Sequence, residues 1–175
     1  YLVEGTASGF KPRIFDFSEE NRDLKKIDLN DKNEFEGYIF GEIKKNNTDF
    51  GIGKYAENRI LYRRFELFGG TNDRSFHLGL DIFREEGAKV YAPISGQVHS
   101  FADNSDIGDY GPTIILQHRS NNFIFHTLYG HLSRKSLLGL YAGKEIEKGG
   151  QPLRDLADLV AGRGRFHFHH DNLVG

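Results

Sequence analysis

Apolar positions recur every four residues in DKNEFEGYIFGEIKK (31–45), where Phe35, Ile39 and Ile43 would share one side of a helix despite Gly37 and Gly41. Upstream, residues 1–30 are mixed and polar. They contain Pro12, a charged run at 19–26, and Asp16 or Ser18 as candidate caps for a short helix. FGIGKYAEN (50–58) is punctuated by glycine and predicts turns. ILYRRFELF (60–68) alternates well enough for a strand, and GGTND (69–73) reads as a loop. From Ser75 the texture changes. FHLGLDIF, AKVYAPISGQVHSF, PTIILQH and NFIFHTLYGHL are short β-rich runs, separated by turn material in REEG, DNSDIGDYG and RSNN. They predict an antiparallel sheet of meandering strands. GLYAGKEIEKGG (139–150) predicts a turn, a short strand and another turn. LRDLADLV (153–160) has helical spacing, and GRGRFHFHHDNLVG closes the chain as a strand. The expected organisation is an N-terminal extension of mixed helix and coil over 1–58, followed by a mostly β domain over 59–175.

Composition narrows the chemistry. At 175 residues with 38% hydrophobic and 27% charged, the chain can bury a core without disulfide or metal staples. It has no Cys, which excludes thiol nucleophiles and thiolate zinc sites and leaves its 8 histidines and its carboxylates as metal ligands. A net charge of −2 supplies no basic footprint for nucleic acid. No apolar run approaches the about eighteen residues of a transmembrane helix. With no Met in the sequence, Tyr1 is not expected to be a translation start.

Three groups carry candidate chemistry. In FHLGLDIF, strand alternation puts Phe76, Leu78, Leu80 and Ile82 on one face, expected to build the core. His77, Gly79 and Asp81 fall on the other, where an imidazole and a carboxylate flank a position without a side chain. Both donors suit zinc. In RFHFHH, His167 and His169 share a strand face opposite Phe166 and Phe168, so both can approach one ion, or one can bind while the other acts on substrate. His131, after Gly130, ends the TLYGHLS strand where the backbone can be approached closely. His99, His118 and His126 read as polar residues on half-exposed strands. A catalytic zinc uses three protein ligands and an open position. His77, Asp81 and one histidine of the terminal pair supply three. His131 and the other member of the pair remain for proton transfer or oxyanion stabilisation.

These segments resemble the M23 family of zinc metallopeptidases, the lysostaphin-like or LytM-type peptidoglycan endopeptidases, over roughly residues 70–175. The family pattern is H-x-x-x-D, then A-P/A-x-x-G-x-V, Y-x-H-L and H-x-H. It is met here by HLGLD (77–81), APISGQV (92–98), YGHL (129–132) and HFH (167–169), in that order. The resemblance implies a compact antiparallel β-sheet metallopeptidase domain with a groove across the sheet. It implies Zn²⁺ held by His77, Asp81 and His169, with His131 and His167 as catalytic histidines. It implies a peptidoglycan peptide or other peptide as substrate, no nucleic-acid partner, and a periplasmic or extracellular location. The wording of DYGPTIILQH and TLYGHLS is closest to a branch found in multidomain bacterial proteins, which would allow a cytoplasmic module or a substrate other than cell wall. The family usually has P-H-L-H-F where this chain has GRFHFHH. Matching the H-x-H spacing keeps both histidines. Matching the following Phe would make His167 the ligand and put Arg165 in place of the catalytic histidine. A catalytically degenerate module that binds peptidoglycan or regulates another hydrolase is the alternative to an active enzyme.

Overall fold

Among the described residues, strand pairing gives a four-stranded antiparallel sheet, a three-stranded mixed sheet and two two-stranded ladders. The computed structural model describes residues 9, 11–29, 31–60, 76–104, 110–121 and 123–155. The strand expected over 60–68, the loop over 69–73 and the closing strand with its histidines lie outside these, apart from Ile60.

The helix α1 spans Lys32–Lys45. Asp31 caps it by accepting from the backbone N–H groups of Asn33 and Glu34, which satisfies two of the otherwise unpaired first-turn donors. Phe35 and Ile39 are buried and Ile43 packs beside them, so the four-residue spacing is used as expected. Gly37 and Gly41 face open space. Ahead of it, the short helix is a 3₁₀ turn at Leu24–Lys26 with no side-chain cap. Asp16 instead accepts from the N–H and hydroxyl of Ser18, forming a local turn.

The smaller sheet runs β1 (Pro12–Phe15), β2 (Phe50–Gly53) and β5 (Asp81–Phe83). β1 is parallel to β2, and β2 antiparallel to β5. The turns expected at 50–58 are corrected here: β2 is a strand because its glycines let large neighbours pass close to the backbone. A Cβ at Gly51 would lie 2.5 Å from the Phe15 ring, and one at Gly53 would lie 2.7 Å from Arg59 Nη2. A short ladder joins β3 (Glu57–Asn58) to β4 (Phe76–His77), with Glu57 opposite His77.

The large sheet has the expected antiparallel character, with the order β10 (Glu145–Ile146), β7 (Gly96–Asn104), β8 (Gly111–Ser120) and β9 (Phe123–Tyr129). β6 (Lys89–Val90) pairs with β11 (Arg154–Asp155). That pairing corrects the start of the helix expected over 153–160. The N–H of Leu153 donates to the Val90 carbonyl at 2.7 Å, and burial of Leu153 at the sheet margin outweighs its helical spacing.

Two cores result. An aromatic one packs Phe15, Phe17, Phe35 and Phe83 with Leu24, Leu29 and Ile39. An aliphatic one packs Ile82, Val90, Val98, Ile114, Leu116 and Leu132 with Phe50 and Tyr129. Each fully buried side chain of this size contributes about 1.5–3 kcal/mol. Strand β5 joins the two, because Ile82 points into one and Phe83 into the other. Asp81 heads that strand.

Candidate functional site

His77 and Asp81 lie one strand apart on ladders whose partners come from the N-terminal third of the chain. His77 sits opposite Glu57, and Asp81 opposite Gly53. Over 76–79 alternation is kept with its polarity inverted from the sequence expectation, whereas Ile82 is buried in the core as expected and β5 is buried at every position. His77 and Asp81 are 2% and 0% exposed, while Phe76 and Leu78 are 59% and 47% exposed. Nor is the run one strand: β4 and β5 are separated at 78–80. The carboxylate is the inward group because it has a buried cation to meet, a partner that hydrophobic patterning does not reveal.

His77 Nε2 and Asp81 Oδ1 are 3.4 Å apart. Zinc ligands at bond lengths of about 2.0–2.2 Å subtend about 3.3–3.5 Å across a tetrahedral angle. The pair is therefore spaced as two neighbouring ligands of one such ion. Asp81 Oδ2 is turned the other way and bonded to Arg59 Nη1. Arg59 Nε in turn donates to Glu57 Oε2 at 3.1 Å, and Glu57 Oε1 accepts the Phe17 N–H at 3.0 Å. The Arg59 guanidinium also lies over the Phe17 ring, 5.0 Å from its centroid. Sequence reading missed Glu57 and Arg59. The available signal was an acid and a base two residues apart just before the β-rich region, a pattern too common to single out.

His131 is seated by other contacts. Its backbone is left-handed at φ 53°, which costs a non-glycine residue about 1–3 kcal/mol and is a conformation that clusters at functional sites. Its N–H donates to the Tyr110 carbonyl at 2.6 Å, and Leu132 N–H to the Pro112 carbonyl at 3.0 Å. The Tyr110 and His131 ring centroids are 6.2 Å apart. Gly130 is needed beneath Tyr110, since a Cβ there would crowd it at 3.2 Å. The ring is thus held at the end of β9 and remains half-buried.

His118 departs from its expected half-exposed setting and is 1% exposed. Nδ1 donates to the Ser95 carbonyl at 2.9 Å, and Nε2 lies 2.7 Å from Thr127 Oγ1. Thr127 bonds on to the Tyr129 hydroxyl at 3.1 Å. Burial pushes Tyr129 up to about 12, with the Thr127 hydrogen bond pulling the other way. Exposed His99 and half-buried His126 are close to the sequence expectation, with ring centroids 4.9 Å apart. Burial, with the neighbouring histidines, lowers the pKa of His126.

The remaining predicted residues, His167 and His169, and Arg165 of the alternative register, lie outside the described residues. Among the described residues no cluster of three or more His, Cys, Asp or Glu is placed to hold a metal ion. His77 and Asp81 are two of the three ligands expected, and His169 would be the third. No helix among the described residues is long and apolar enough to cross a membrane. Comparison with protein-family models matches residues 75–153 to peptidase family M23. No curated protein and no solved structure matches the chain.

Proposed function

We propose, from the match of residues 75–153 to peptidase family M23, that the chain is a zinc-dependent endopeptidase acting on the peptide cross-links of peptidoglycan. The observation that carries the metal assignment is the buried His77–Asp81 pair, spaced 3.4 Å apart with the second carboxylate oxygen already engaged. His77, Asp81 and His169 are the proposed ligands. Bound zinc would acidify a water and polarise the scissile carbonyl.

The chain's own residues do the rest. Asp81 and His77 are held from two ladders, so their donor atoms need little rearrangement to ligate. His131, projected from a strained turn, is proposed to hold and move the proton of the attacking water. His167 is proposed to share that task and to stabilise the developing oxyanion. The exposed run around Phe76 and Leu78 is the proposed apolar wall for an extended peptide.

The test is digestion of purified cross-linked sacculi by the full chain. Release of new amino termini that stops with a chelator and returns with zinc supports the reading. Tight binding to sacculi with no bond cleaved at any zinc concentration would contradict the enzyme and favour a degenerate binding module.

A further inference from the structure

The buried chain Glu57–Arg59–Asp81 is built of charges in a place where charges are costly. Glu57, Arg59 and Asp81 are 7%, 2% and 0% exposed. Taking three charged groups out of water gains little net stability even when they pair well, and apolar residues of the same volume would serve a core at least as well. The network is nevertheless engineered closely. Arg59 is clamped at Nε by Glu57 at 3.1 Å, and Glu57 is clamped by the Phe17 N–H at 3.0 Å. The guanidinium is bracketed by the Phe17 ring and by Gly53, where even a methyl group would lie 2.7 Å from Nη2 and 3.1 Å from Asp81 Cβ. Its Nη2 also reaches the Lys54 carbonyl at 3.4 Å. The fork ends on Oδ2 of Asp81 and leaves Oδ1 as the oxygen facing His77.

We propose that Arg59, held by Glu57, is a positioning residue that fixes the Asp81 carboxylate so that Oδ1 alone ligates the metal. The inference rests on the zinc reading above and deepens it. It also gives the N-terminal segment a part in the site, since Gly53, Glu57 and Arg59 all precede the family-matched region. Partners that orient a metal ligand carry about 10–100-fold in metal affinity. Arg is suited to the task because its planar fork can hold two carboxylates at once, which a lysine cannot reproduce.

The experiment measures the zinc dissociation constant of the full chain by chelator competition for wild type, Arg59→Gln, Arg59→Lys and Glu57→Gln. Arg13→Gln, which breaks a pair with Glu42 far along the sequence, serves as control. Arg59→Gln and Arg59→Lys should bind zinc about 10–100-fold more weakly, Glu57→Gln less so, and the control not at all differently. The visible spectrum of the cobalt-substituted protein should change for Arg59→Lys, because ligand geometry shifts, a readout that mere loss of stability would not move. If Arg59→Gln does not fold, judged by circular dichroism, Arg59→Lys and Glu57→Gln decide the matter. Wild type that binds zinc alongside Arg59 variants with unchanged affinity and spectrum would overturn the positioning role. Tighter zinc binding in those variants would overturn it too, by showing that Arg59 competes with the metal for Asp81. Wild type that binds no zinc would instead refute the reading on which the inference rests.

Discussion

Two histidines are almost equally buried in this protein, and their surroundings differ in kind. His118 is met by the Ser95 carbonyl, the Thr127 hydroxyl and, through it, the phenol of Tyr129, all uncharged. Both ring nitrogens of His118 are occupied by the fold itself. His77 instead faces the carboxylate of Asp81, backed by a guanidinium and a second carboxylate. The first arrangement closes a polar gap in the large sheet and asks for nothing more. The second gathers charge around a pair spaced as two ligands are. On the proposed function, burial alone would not separate a structural histidine from a functional one, and the chemistry of the partners would.

The largest effect expected to sharpen this contrast comes from a third histidine. His131→Gly should lower turnover on sacculi by about 10²–10⁴-fold, the usual worth of a positioned proton carrier. The same change should leave stability unchanged or raise it by about 1 kcal/mol, because glycine relieves the backbone at φ 53°. Equal activity in the variant would remove His131 from the mechanism. Next comes His118→Ala, which should cost about 2–4 kcal/mol in urea unfolding by stranding the Ser95 carbonyl and Thr127, yet leave zinc content intact. Loss of zinc there would erase the distinction between the two histidines.

Tyr129 allows a pH test of the uncharged network. Its folded pKa of about 12 exceeds the ordinary 10, so the folded state keeps the proton longer than the unfolded chain. The contribution is fully present below pH 10 and is lost as pH rises toward 12, by about 2–3 kcal/mol in all. Tyr129→Phe should flatten that alkaline decline, and an unchanged slope would show that the phenol is not its source. The smallest effect is a pair of glycine changes. Gly96→Ala would push a Cβ to 2.6 Å from both the Gln117 carbonyl and His118 Nδ1. It should destabilise by about 1–3 kcal/mol without touching zinc. Gly53→Ala, crowding Arg59, should weaken zinc binding as well. The reverse pattern in metal titrations of the two variants would break the comparison.

Much of the fold was legible where a periodicity had one interpretation. Phe35, Ile39 and Ile43 marked the helix, and the alternating runs from Gly96 to Tyr129 marked the large sheet. Strand β2 was hidden because Gly51 and Gly53 look like turn residues until Phe15 and Arg59 are seen pressing on them. In FHLGLDIF the expectation held for Ile82, which is in the core, and failed at Phe76 and Leu78, which are exposed while His77 and Asp81 are buried. Burial of Asp81 goes with its contact to Arg59, a residue 22 positions away. The start of LRDLADLV departs from its helical spacing for a related reason: Leu153 N–H bonds the Val90 carbonyl and Arg154 pairs with Val90 across the ladder, partnerships that local spacing cannot encode. For the candidate site, the H-x-x-x-D spacing singled out His77 and Asp81, which the fold brings within 3.4 Å of each other, and the glycine-flanked strand end singled out His131 as a candidate. The supporting charges on Glu57 and Arg59 carried only a common acid–base spacing, because the contact that joins them to Asp81 is long-range.

The most direct test of the account is the zinc content of untagged, purified full chain by elemental mass spectrometry, beside His77→Ala and Asp81→Ala. The account predicts about one zinc per chain in the wild type and near zero in both variants. Stoichiometric zinc retained in both variants, or none bound by the wild type even after zinc is supplied, would contradict it.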